Sequence, residues 1–422
     1  MFRKVLACLA GALLIAESAS AAIDWNDPHS VVEAAITASP SLREIDANLA
    51  AARARQLGAG AMPNPMLMAG VQNQQLDLSR DPMMTMYMAG ASQTFVRRER
   101  REALQRAASL DVERLEREAE SRRAEIARDV LVAYDEAAAA ENQIAANDEI
   151  AKLAAMMAEA ARIRYEVGAA AQIDIIRARL EASNVRHQVL MQRGVRGTAL
   201  VRLRALLNLA PAETIPPFAL HHAMEEHAHG DAVTLDATTP AIAALEIDVA
   251  RAEQDVRLAK LATKPDLNLE ASYGFRPEQK DMFSVVARIE LPIRRATTIE
   301  PRIAEAIARR DATRAQIDVL RQQLAAAFGE ALASRNEAVE QISLHVEQLV
   351  PEAKLGFESA LASYQAGKTT FDAVIGALQT YRMLNVDSFD FVRQLLVAEA
   401  EIDALRHGAI GRSGAAMMGG AR

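Results

Sequence analysis

The residues best suited to chemistry fall in three groups. The segment HHAMEEHAHGD sets His221, His222, His227 and His229 beside Glu225, Glu226 and Asp231, and holds half of the chain's 8 histidines. Imidazole and carboxylate together suit Zn, Co, Ni or Cu(II). The spacing fits no fixed coordination pattern, so a flexible, weakly binding or merely polar loop is the competing reading. Methionines make the second group: Met62, Met66, Met68, Met83, Met84, Met86 and Met88. Met66 and Met68 alternate in phase with Gln72 and Gln74, and Met84, Met86 and Met88 with Ser92 and Thr94. On a polar face these thioethers could touch a soft metal such as Cu(I); alternatively they face lipid or pack as flexible apolar side chains. The third group is a short sentence written twice, YEVGAAAQIDII from Tyr165 and YQAGKTTFDAVI from Tyr364. No Gly-rich phosphate loop, nucleophile elbow or HExxH motif occurs. No catalytic residue, enzyme activity or cofactor is expected, and His187 and His345 read as ordinary helix residues, packed or exposed.

The first residues carry an address. Arg3 and Lys4 precede the apolar stretch Val5 to Ala16, and Ala19-Ser20-Ala21 offers a small-residue cleavage site, so residues 1–21 read as a secretory signal. Cys8 is the only cysteine and falls inside that signal, which leaves the mature chain without disulfide or thiolate chemistry. The net charge of −8 and an aromatic content of 4% argue against nucleic acid as a partner. No later run is long and apolar enough for a membrane helix, so any crossing must use strands.

The repeated sentence extends. Tyr165 and Gly168 recur as Tyr364 and Gly367, 199 positions on, and Pro40 and Pro65 recur as Pro240 and Pro265, 200 positions on. The chain therefore divides into a first repeat over 22–217, a His-rich linker over 218–235, a second repeat over 236–408 and a flexible tail over 409–422. Neither Gly nor Pro interrupts Arg97 to Val167. Leu104, Ala108, Leu115, Ala119, Ile126, Val130, Ala133 and Ala137 step by fours, threes and sevens there, which is a coiled-coil seam on one long helix. A returning helix follows Gly168 from about Gln172 to Asn208. The second repeat predicts a helix from about Pro301 to Ala366, kinked at Pro351, a turn at Gly367, and a return to about Leu405. Both sentences thus sit at the tips of helical hairpins.

Between helices the period switches to two. DLNLEASYGF alternates without a fault, with Leu267, Leu269, Ala271, Tyr273 and Phe275 against Asp266, Asn268, Glu270, Ser272 and Gly274. FSVVARIEL repeats the pattern, and 66–74 and 84–95 match it in the first copy. The strand pairs span 66–95 and 266–291. Segments of about ten alternating residues fit a membrane β-barrel, or an ordinary two-sided sheet. Four strands close no useful barrel, and an open edge does not stand in lipid, so several chains must share one.

In this order of parts the chain resembles the outer-membrane efflux protein family, whose best-known member is TolC. The resemblance covers about Asp27 to Leu405 and includes the Y-x-x-G tips and Leu291-Pro292-Ile293 closing a strand pair. It implies a mainly α fold: duplicated long hairpins forming a coiled-coil tunnel, with four strands per chain contributing to a trimeric twelve-stranded barrel. It implies a homotrimer in outer-membrane lipid of a Gram-negative bacterium, with a large periplasmic extension. The partners implied are a periplasmic adaptor and an inner-membrane pump of the RND type. The function implied is a passive exit duct for efflux, with the histidines and methionines tilting the substrate toward heavy-metal ions. Alternatives are an exit duct for type I protein secretion, and a soluble periplasmic coiled-coil adaptor or scaffold. The tips at Tyr165, Gly168, Tyr364 and Gly367 would dock the adaptor. Asp174 matches a family aspartate that bonds across the closed entrance, and Tyr364 its tyrosine partner; the otherwise reading of Asp174 is a helix cap. The family's arginine is absent: Thr369 stands there beside Lys368. Ala373 and Gly376 replace an acidic ring, with Asp372 the nearest carboxylate.

Overall fold

A computed structural model describes residues 23–74, 84–218, 234–236 and 238–409. The expected signal over 1–21, the linker histidines His221, His222, His227 and His229, Met83 and the tail from residue 410 lie outside the described residues. Two short helices, α1 (Pro28–Ala38) and α2 (Pro40–Gly58), lead to β1 (Met66–Gln72) and β2 (Met86–Phe95). The long α3 (Arg98–Glu166) and its return α4 (Gln172–Leu206) complete the first repeat. The second repeat retraces this with α5 (Pro240–Leu261), β3 (Leu267–Phe275), β4 (Met282–Ile289), the single turn α6 (Arg295–Thr298), α7 (Glu300–Leu344), α8 (Val350–Gln365) and α9 (Phe371–Arg406).

The paired prolines have a common cause. Ser39 and Thr239 cap α2 and α5, their hydroxyls accepting from the N–H of Leu42 and Ile242, with Pro40 and Pro240 in the first turn. A cap hydroxyl satisfies an otherwise orphan N–H, and proline loses nothing where no N–H partner exists. Pro351 acts differently from a simple kink. Inside a helix it removes one backbone donor and crowds the preceding turn; here a π-helical turn at His345–Leu349 widens the helix just before it. His345 is buried in that turn with its ring 4.8 Å from Phe391, whereas His187 is exposed.

The seam of α3 holds from its fifth turn onward: Leu115, Ala119, Ile126, Val130, Ala133 and Ala137 are all buried. At the start it is shifted by one residue. Ala103, Ala107 and Leu110 are buried while Leu104 is 41% exposed. The shift follows from geometry: a helix of 3.6 residues per turn drifts against a seven-residue repeat, so its apolar stripe need not begin on the same phase.

By their packing the described residues form two compact units, and these are not the two repeats. One takes the chain up to Ala38, the region from Asp129 through α4, and Ile342–Arg393; the other takes Ser39–Arg128, the second repeat up to Gln341, and the chain from Gln394. Each unit thus draws matching parts from both repeats. The first centres on Ile150, Met157, Val185, Phe357, Val374 and Leu378. The second centres on Ile242, Leu324, Phe328, Ile402 and Leu405.

The second unit carries the sheet, antiparallel in the order β1-β2-β3-β4. Asp266 ties it to the helices, accepting the Arg97 N–H at 3.1 Å and pairing with Arg100 at 2.7 Å. The register puts Tyr87, Ala89, Ala91 and Phe95 opposite Phe275, Tyr273, Ala271 and Leu267 on one face, and Ser92 and Thr94 opposite Glu270 and Asn268 on the other. Burial is the reverse of a water-soluble sheet. In β2 and β3, Tyr87, Leu269, Tyr273 and Phe275 are exposed while Ser92, Glu270 and Ser272 are buried; β4 is exposed on both faces. An apolar outside and polar inside is the arrangement that hydrocarbon selects. No described helix is long and apolar enough to cross a membrane. Leu269→Arg should therefore cost about 2–4 kcal/mol of stability in lipid if it lies near the bilayer midplane, and Ser284→Arg on the other face far less. The folded fraction recovered in phospholipid vesicles measures both, and equal losses would contradict the face assignment.

Candidate functional site

The two tips are built by the same local chemistry. After α3, the Gly168 N–H donates to Tyr165 O at 2.9 Å and the Ala169 N–H to Arg164 O at 2.8 Å. After α8, the Gly367 N–H donates to Tyr364 O at 2.9 Å and the Lys368 N–H to Ser363 O at 2.8 Å. This paired bonding ends a helix with a residue in the left-handed region, and Gly168 and Gly367 sit there at φ +73° and +74°. Any side chain at these positions is strained, which is why Gly recurs.

The side chains around the tips differ. Tyr165 is 45% exposed, whereas Tyr364 is 3% exposed and belongs to the core of its unit. The Tyr364 ring lies 5.2 Å from Phe371, and the Arg164 guanidinium stands 4.5 Å above it. The Tyr364 hydroxyl donates to Asp174 Oδ2 at 3.3 Å. Asp174 is in the first turn of α4, after Ala171 at the cap position, and no side chain caps that helix. Its carboxylate reaches across to the second hairpin instead of capping its own helix. It also sits where the positive end of the helix dipole favours an anion.

Lys368 is exposed, and its side chain makes no hydrogen bond or ion pair among the described residues. Asp372, in the first turn of α9, pairs with Arg177 of α4. Both partners of that pair are largely in water, so it contributes at most about 1 kcal/mol. Ile175 and Ile375 pack against the core, Val374 is wholly buried, and Ile176 is exposed.

Three residues of this site escaped the sequence reading. Arg164 holds both tips at once, its Nη2 donating to Ala169 O at 3.1 Å while its plane covers Tyr364. A cation at the tip thus comes from the first hairpin, whereas the resemblance implied one at the position held by Thr369. Arg177 is the second. Glu181 is the third: it is 3% exposed and accepts from Gln379 Nε2 at 2.8 Å, linking α4 to α9. Its spacing with Ala178 and Val185, both buried, was the available signal, since it puts a carboxylate on an apolar stripe. No group of three or more His, Cys, Asp or Glu suited to a metal occurs among the described residues.

With this geometry in place, comparison with known proteins is direct. The family model for outer membrane efflux proteins matches residues 31–209 and again 234–406. The chain belongs to that family. The double match coincides with the internal repeat. The outer-membrane channel OprN has 18% identity, a TM-score of 0.79 and coverage of 91% of each chain. CusC, solved in a study of transmembrane channel formation, has 17% identity, a TM-score of 0.77 and coverage of 92% of each. VceC from Vibrio cholerae has 19% identity and a TM-score of 0.76, covering 91% of this chain and 97% of that one. No curated protein matches the sequence. The fold is thus the TolC-like one, long helices with a strand-formed barrel part, and the family's members are outer-membrane efflux channels, not enzymes.

Burial pushes the Tyr364 phenol above the usual tyrosine value, helped by the Asp174 carboxylate and opposed by Arg164. In the same unit Tyr134 is pushed to about 12, chiefly by burial and then by Asp135, Asp27 and Asp24. It donates to Trp25 O at 2.8 Å and stacks on Phe218 at 4.3 Å. A pKa raised on folding stabilises below the unfolded value, near ~10, and the gain is lost as pH climbs through the folded value. In an absorbance titration of the chain's 6 tyrosines, Tyr364→Phe should remove one late-ionising phenol and Tyr134→Phe the latest. Unchanged late ionisation in either variant would contradict the corresponding burial.

Proposed function

We propose that three copies of this chain form the outer-membrane exit duct of a tripartite efflux system in a Gram-negative bacterium. Each copy contributes four strands to one twelve-stranded barrel and its hairpins to a periplasmic tunnel. The observation that carries this reading is the inverted sheet, with an apolar exposed face and with β1 and β4 each lacking a partner on one side among the described residues. Bare strand edges do not survive in hydrocarbon, and closure with further copies removes them. The same inverted sheet argues against the soluble adaptor or scaffold. A duct performs no covalent chemistry, and an RND-type inner-membrane pump would supply the energy. An adaptor would dock at the tips around Tyr165, Gly168, Tyr364 and Gly367. Extraction in mild detergent and mass measurement should give a trimer; a lipid-inserted monomer would overturn the shared barrel.

The tips would close the duct. The Tyr364–Asp174 hydrogen bond joins the two hairpins of one chain, Arg164 holds the Tyr364 ring, and Arg177–Asp372 adds a second link. Lys368 and Asp372 remain candidates for contacts across subunits. At roughly 1 kcal/mol per link, three copies together shift the closed-to-open balance about a hundredfold. Asp174→Ala with Tyr364→Phe should therefore raise single-channel conductance in planar bilayers without lowering trimer yield. Wild-type conductance from the double variant would mean that closure rests on apolar packing alone.

Heavy-metal ions are the substrate class we assign, and the methionine-rich strands support it. The linker histidines would act as a capture segment. Deleting His221 to Gly230 should lower resistance to a divalent metal at unchanged protein level; unchanged resistance would make the segment a polar connector.

A further inference from the structure

The sheet confines its methionines to one face, which they share with Val286. The face shared by Ser92, Glu270, Ser272 and Arg288 carries Met66, Met68, Met86, Met88 and Met282. The opposite face carries Leu67, Val71, Tyr87, Phe95, Leu267, Leu269, Tyr273, Phe275, Phe283, Val285 and Ile289, and no methionine. Methionines serving only as apolar filler or lipid contacts would not avoid the apolar face. Every methionine of the four strands is on the face where Glu270 pairs with Arg288 at 2.5 Å.

Three of these methionines are neighbours of one glycine. Gly274 lies directly opposite Met88 on one side and Met282 on the other. Residues directly opposite point to the same face, and neighbouring strands are about 4.8 Å apart. Residue 274 puts no side chain of its own between Met88 and Met282. Met86 lies over that position: a Cβ on Gly274 would stand 2.3 Å from Met86 Sδ. A long flexible thioether from each side and one from above thus surround a glycine. Met86 and Met88 are half-buried and Met282 is 46% exposed, so the group opens to the polar side.

We infer that Met86, Met88 and Met282 form a three-thioether site for a soft monovalent cation of the Cu(I) or Ag(I) class. Neutral sulfur ligands favour such ions over Zn, Mg or Ca, which prefer nitrogen and oxygen. Three neutral ligands without a carboxylate bind without trapping, as a station on a passage requires. The inference deepens the heavy-metal reading of the duct and rests on it for its physiological role, since the polar face would line the barrel.

Silver nitrate is the probe, because Ag(I) needs no reductant. It is added in chloride-free buffer to the cysteine-free chain from residue 22 onward in detergent, and silver-edge X-ray absorption reads the ligands. The wild type should bind silver with sulfur neighbours. Met86→Leu with Met88→Leu and Met282→Leu nearly conserves volume and should weaken that sulfur-bound site at least about tenfold, since losing even supporting partners of a metal site costs ~10–100-fold. Met66→Leu with Met68→Leu, on the same face, should leave it intact. The site is overturned if the triple variant binds like wild type, or if silver in the wild type is held by nitrogen alone. Bilayer conductance of the same samples separates the two readings. Wild-type conductance with an unchanged silver spectrum in the triple variant rejects the site and keeps the duct. A wild type that forms no channel rejects the duct whatever silver does.

Discussion

A peptide N–H or C=O facing hydrocarbon without a partner costs several kcal/mol, and the rest of the molecule follows from avoiding that cost. The four-stranded sheet pairs β2 and β3 on both sides but leaves β1 and β4 each with one bare edge among the described residues. Its apolar side chains point away from its polar, partly enclosed face. Such a sheet is satisfied neither in water, where Phe283, Val285 and Ile289 would stand bare, nor in lipid as a single copy. Closure with further copies, as proposed, would resolve both demands, and the duplication supplies two strand pairs for it.

Duplication also explains the tips, and divergence explains why they differ. The backbone repeats closely: the same two hydrogen bonds and the same left-handed glycine end α3 and α8. The side chains do not. Tyr364 is buried beneath Arg164 and bonded to Asp174, while Tyr165 stands in solvent. A hairpin held by its neighbour and a hairpin free on its outer side are the parts that a closing entrance and a docking surface would respectively need. The cation over the Tyr364 ring comes from the first hairpin, because Arg164 in the last turn of α3 reaches it.

In the proposed duct, one face of the sheet would answer to lipid and the other to whatever passes. The segregation of methionine to the polar face separates adaptable soft ligands from the rigid apolar residues that meet hydrocarbon. Gly274 serves both the packing and the proposed site, since only an absent side chain lets Met86 cross from one strand to the next.

The sequence alone determined the elements and their order. Runs free of Gly and Pro dictated α3, strict alternation dictated β3, and the repeated Tyr-x-x-Gly placed both turns, because each of these depends on neighbours within a few positions. The phase of the methionines along β1 and β2 was legible for the same reason. Tertiary structure decided what spans distant positions. The seam of α3 begins on Ala103 and not Leu104, because the start of a stripe depends on which neighbours meet it. Pro351 is absorbed by a π-helical turn and not a bare kink. Arg164, Arg177 and Glu181 became site residues only when the two hairpins were brought side by side. Met282 joined Met86 and Met88 only through the register of β3 and β4. Periodicity fixes which face a residue takes on its own element, but not which residue of another element it meets, because that depends on packing and strand register across nearly 200 positions of chain.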